Sequence, residues 1–115
     1  MSVGGGAGAI LRAMGEPWEI LVADVTGRHP DVVLSKMFGV PCLKRNGKVV
    51  ACAWKGGGLT VKLVDQGVRE GALALAGAEL FDPGMGRRMK EWVLVPATHR
   101  ERWDDLVEDA LAALP

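Results

Sequence analysis

Apolar residues recur along this chain with two different periods, and the switches between the periods mark its elements. Trp18, Leu21, Val22 and Val25 fall three or four apart, which puts them on one stripe of a helix. Pro17 suits that helix's first turn, where an amide donor is not needed, and Gly27 is expected to end it in a left-handed conformation. A connector through His29-Pro30 reaches Val32-Val33-Leu34, read as the lead-in to a first strand. From residue 40 the period shortens. Residues 40–45 and 48–54 flank Asn46-Gly47, a dipeptide that tolerates positive φ at both positions and so favours a tight hairpin. Gly56-Gly57-Gly58 predicts a second reversal. Leu59, Val61 and Leu63 then alternate with Thr60, Lys62 and Val64, as in a strand packed on one side and wetter on the other. Three antiparallel strands in series are expected.

The second half repeats the alternation of types. Asp65 is expected to cap a helix whose body is 68–76, rich in Ala and Leu, with Gly77 as its stop. A short strand over 79–82 ends at Pro83, and a loop over 84–88 returns the chain into a strand over 90–95 that Pro96 terminates. Thr98-His99-Arg100-Glu101 matches a capping box, and Trp103, Leu106, Val107, Ala110, Leu111 and Leu114 then share one helical face. The expected fold is α+β, in the order α-β3-α-β2-α. It has two layers, a mainly antiparallel five-stranded sheet with helices packed on one side.

Composition adds limits rather than detail. At 115 residues, 49% of them hydrophobic and 24% charged, the chain fits one globular domain that needs no metal or disulfide staple. Residues 1–14 read as a Gly/Ala-rich tail rather than a secretory signal, and 15–115 as a single domain. No apolar run approaches the roughly 20 residues of a membrane span, so a cytoplasmic protein is expected. Fourteen basic and 14 acidic residues balance overall but not locally. Lys36, Lys44, Arg45, Lys48, Lys55 and Lys62 stand in a stretch without one acid, whereas Glu101, Asp104, Asp105, Glu108 and Asp109 crowd the last helix. Opposed surfaces of this kind suit a partner or a second copy of the chain.

Catalytic patterns are sparse. Gly4-Gly5-Gly6-Ala7-Gly8 lacks the preceding strand of a dinucleotide loop, and Gly56-Gly57-Gly58 lacks the lysine of a P-loop. His29 and His99 have no ligand partner at metal spacing, and the acids of the last helix fall on its polar face. Cys42 and Cys52 flank the Asn-Gly turn. A two-residue loop pairs 45 with 48 and sends the thiols to opposite faces, whereas a three-residue loop sets them opposite each other. Reduced, structural thiols are expected either way. The segment from Gly84 to Lys90, with Arg87, Arg88 and two methionines, has the makings of a mobile contact element.

With these residues in view, the chain resembles the N-terminal domain of the TfoX (Sxy) family of bacterial competence regulators. The likeness runs through Lys36-Met37-Phe38-Gly39, Asn46-Gly47-Lys48, residues 59–63 and Met89-Lys90-Glu91-Trp92-Val93-Leu94-Val95-Pro96, and spans residues 17–114. Val40-Pro41-Cys42 stands where that family often has Gly-Tyr-Gly. The resemblance implies the same α-β3-α-β2-α fold, a regulatory role and no enzymatic activity.

The leading expectation is a non-catalytic regulatory or interaction module that contacts a protein partner or forms a homodimer, without cofactor, metal or membrane. Its candidate contact residues are Met37, Phe38, Gly39, Arg87, Arg88, Lys90 and Trp92. The alternative is nucleic-acid binding through the basic hairpin and Arg87-Arg88. A third reading puts a small-molecule pocket under the Met37-Phe38-Gly39 turn, beside Lys90 and Trp92, although the layered fold is expected to leave no interior cleft.

Overall fold

The computed structural model describes residues 15–37, 39–84, 86 and 88–114, so the expected tail over 1–14 lies outside the described residues. The elements run α1 (Glu16–Arg28), β1 (Val32–Met37), β2 (Val40–Arg45), β3 (Lys48–Ala53), β4 (Leu59–Lys62), α2 (Gln66–Leu73), β5 (Glu79–Leu80), β6 (Trp92–Val95) and α3 (Arg100–Ala112). Among the described residues the chain is α+β, with three helices and one antiparallel sheet of six strands in the order β1-β2-β3-β4-β6-β5. The expectation of five strands is corrected by β1. What reads as a lead-in is a full strand, paired with β2 from Val32↔Arg45 to Met37↔Val40. Ser35 and Lys36 break its apolar run, but an edge strand half in water accepts them.

All three helices pack on one face of the sheet. Trp18, Leu21, Val22 and Val25 of α1 and Trp103, Leu106, Val107, Ala110 and Leu111 of α3 are buried against it, as their spacing predicts. They meet Leu43, Ala51, Ala53, Leu59, Val61, Val93 and Val95 of the strands. The indole N–H groups of Trp18 and Trp103 have no partner among the described residues. A stranded donor costs about 1–3 kcal/mol, and the apolar area of two buried tryptophans works against that cost.

Three local details depart from expectation. α1 passes through Gly27 and ends at Arg28, with the His29 amide donating to the Val25 carbonyl. Its last turn is held from outside, because Arg28 reaches two carboxylates of α3. α2 closes at Leu73, three residues short of the expected body, and Ala72 is its one buried residue. The capping box at Thr98 does not form. Residues Ala97–His99 make a 3-10 turn, so the Arg100 amide donates to the Ala97 carbonyl and no side chain caps α3.

The turn at Asn46-Gly47 behaves as predicted, with φ of 51° and 78°, and pairs Arg45 with Lys48. Two steps further the register slips, so that Lys44 faces Val49 but Leu43 faces Ala51. Val50 is the surplus residue of a bulge in β3, and Cys42 comes to face Cys52. Neither loop length considered from sequence foresaw a two-residue turn followed by a bulge.

Capping gives a direct check. The Asp65 carboxylate accepts from the Val68 amide at 3.0 Å. Asp65→Ala should therefore lower stability by about 1 kcal/mol in urea denaturation, and Thr98→Ala should stay within about 0.5 kcal/mol of the parent.

Candidate binding groove on the open sheet face

Residues opposed across an antiparallel ladder point to the same face, so register alone defines a row over the uncovered side of the sheet. That row runs Ser35, Cys42, Cys52, Thr60, Leu94 and Glu79, one residue from each of the six strands. Its centre is dry. Cys42, Cys52 and Thr60 are 0%, 4% and 1% exposed, although no helix lies over them. Val40 joins the two cysteines in a second, smaller core, with Met37, Val49, Trp54 and Trp92 packed around it. Thr60 is satisfied by donating from its hydroxyl to the Cys52 carbonyl at 3.3 Å.

The cover comes from the segment between β5 and β6. The Phe81 amide donates to the Trp92 carbonyl at 2.8 Å, Met89 to the Phe81 carbonyl at 2.8 Å, and Trp92 to the Met89 carbonyl at 3.1 Å. These bonds close the base of the loop and bring Phe81 edge-on to Trp54, with ring centroids 4.6 Å apart and planes at 82°. Trp54 is itself placed by the turn that follows β3, where its amide donates to the Gly58 carbonyl at 2.9 Å.

Between loop and sheet lies a groove of about 480 Å³. Met37, Val40, Trp54, Phe81, Pro83, Met89 and Trp92 form its walls, Cys52 and Thr60 lie in its floor, and Lys55 is the charged side chain on its lining. A second depression of about 460 Å³ shares Met37 and Trp92 with it and adds Lys48 and Lys62. The groove exists because the loop spans the open face instead of lying off it, and neither histidine nor any acid of α3 lines it. Desolvation pushes both thiols up, Cys52 to about 12, so neither is a thiolate near neutrality.

The candidate residues separate into two groups. Met37 and Trp92 meet in the groove. Gly39 forms the exposed β1–β2 turn at φ 78°, while Arg88 and Lys90 are exposed on or beside the loop. Phe38 and Arg87 lie outside the described residues. Sequence reading did not find Trp54, Phe81, Lys55 or Met89 as groove residues. The alternation that would reveal Trp54 is broken by the bulge at Val50, and Phe81 sits in a two-residue strand's flank with no period to read.

The histidines and the acids of α3 serve the scaffold. Arg28 donates to Asp104 at 2.7 Å and to Glu108 at 2.7 and 3.0 Å, tying α1 to α3. The Arg45 guanidinium, which can only donate, faces His29 Nδ1 at 3.2 Å, leaving His29 Nε2 to donate to Glu108 at 2.9 Å. His99 Nε2 donates to the Ala76 carbonyl at 2.8 Å, joining the exit of α2 to the start of α3. Asp104 and Glu108 are thus not merely solvated, as their place on the polar face suggested. Among the described residues, no three of His, Cys, Asp and Glu gather as metal ligands, and no helix is long and apolar enough to cross a membrane.

Compared with known proteins, the chain matches no family model, no curated protein and no solved structure.

Partial burial raises the carboxyl of Glu108, but the hydrogen bonds from Arg28 and His29 outweigh it and hold the group below its ordinary 4.5. A depressed carboxyl contributes stability above its unfolded value and loses it as pH falls through the folded one. Urea midpoints followed from neutrality to about pH 3 should therefore drop less steeply in Glu108→Gln than in the parent chain.

Proposed function

We propose that the chain is a non-catalytic regulatory module whose working surface is the groove on the open sheet face, and that its ligand is a small apolar molecule carrying one negative charge. The observation that carries this reading is the lining. Seven apolar side chains, two of them tryptophan, surround a space of drug-like size, and among the described residues Lys55 is the single cation on the lining. Among the described residues the groove lining carries no acid–base pair, and the Cys52 thiol, pushed up to about 12, stays protonated near neutrality. The likeness to TfoX-type N-terminal domains in residues 36–39 and 89–96 supports a regulatory role, though not a particular process.

A second reading is favoured by one observation. Lys44, Trp54 and Lys62, from a stretch free of acids, project on the open face with Trp92, which suits a single nucleic-acid strand stacked on aromatics.

Titration with anilinonaphthalene sulfonate, an aromatic anion, and with its uncharged parent amine separates the two readings. The anion should bind in micromolar range and alter tryptophan emission, Lys55→Glu should weaken it roughly fivefold, and Trp54→Ala should weaken it by at least tenfold. Equal affinity for the neutral analogue, or no effect of Trp54→Ala, sinks the groove reading. Oligonucleotide binding that falls steeply with added salt would replace it with the second.

A further inference from the structure

We propose that Cys42 and Cys52 are a dithiol–disulfide couple, closed across β2 and β3 by exchange with a low-molecular-weight disulfide of the glutathione type. This goes beyond the groove's ligand and does not require that one bind.

The argument is geometric. The two cysteines are free and are Cα partners in adjacent antiparallel strands. Such partners lie about 4.5–5.5 Å apart between Cα atoms, inside the roughly 4.4–6.8 Å that a disulfide spans. Both side chains enter the same small core. The register that opposes them is pinned on one side by the bulge at Val50 and on the other by the Thr60 hydroxyl on the Cys52 carbonyl. The Cα register is thus one that a disulfide can span.

Access is unequal, and this sets the order of events. Cys52 lies on the groove, whereas Cys42 is 0% exposed and absent from its lining. The Cys52 thiolate attacks one sulfur of the oxidant, forming a mixed disulfide and releasing one thiolate, which takes up a proton. The Cys42 thiolate then attacks the Cys52 sulfur, forming the intramolecular bond and expelling the second thiol. The protein loses two hydrogens and two electrons, and the small disulfide becomes two thiols. Raised from 9.0 to about 12, Cys52 offers about a thousandfold less thiolate than an ordinary cysteine. Higher nucleophilicity recovers part of this, leaving exchange about 30- to 60-fold slower than in the unfolded chain.

The full chain is incubated with oxidised glutathione, then denatured for thiol counting and intact mass. Expected are loss of both thiols together, a mass lower by two hydrogens, a tryptic cross-link between Cys42 and Cys52, and tryptophan emission that falls and returns with dithiothreitol. A stable glutathione adduct on the parent chain, an intermolecular cross-link, or thiols still free after about a hundred times the incubation that oxidises the unfolded chain overturns the proposal. Cys42→Ala should accumulate the mixed disulfide on Cys52, and Cys52→Ala should leave Cys42 unmodified. The opposite pattern reverses the proposed order and overturns it. Circular dichroism checks the fold of each variant, and the parent measurement stands without them.

Discussion

One surplus residue in β3 decides what both faces of the sheet contain. Side chains alternate along a strand, so an inserted Val50 exchanges the faces of every residue between it and the next turn. With the bulge, Ala51 and Ala53 turn towards the helices and Cys52 and Trp54 towards the open side. The small alanines let α3 settle over β3 and β4, and the larger residues are left to furnish the second core. Without it, a cysteine and a tryptophan would press into the helical layer and two methyl groups would face the loop.

The two layers are stabilised by different means. Beneath the helices, periodic apolar faces are buried and clamped at the rim by Arg28, His29, Arg45 and the acids of α3. On the other side no element has a period to offer. Dryness there depends on a loop held at its base by backbone hydrogen bonds and on one edge-to-face aromatic contact. A core roofed by a loop is shallower than one roofed by helices, and a groove is what remains between roof and floor.

Legibility from sequence follows the same division. Helical stripes, the Asn46-Gly47 turn, the Asp65 cap and the meander were readable because each depends on neighbours within a few residues. Thr98-His99-Arg100-Glu101 misled for the complementary reason: the motif is local, but a 3-10 turn in which the His99 and Arg100 amides donate to the Pro96 and Ala97 carbonyls occupies the helix start, and no side chain caps it. The bulge left no mark, since Val49-Val50-Ala51 is as apolar in one register as in the other. Of the site, Met37 and Trp92 were found through their setting. Trp54 and Phe81 were not, because they meet through strand order and loop return, which no spacing encodes.

The closure of the loop at Phe81, Met89 and Trp92 has an evolutionary corollary. Because backbone hydrogen bonds at Phe81, Met89 and Trp92 close the neck, changes within the exposed part of the loop leave the strand ladder in place. The exposed lip of the groove is thus less constrained by packing than its floor. A lineage carrying this scaffold could retune what it recognises through a handful of codons in one surface segment.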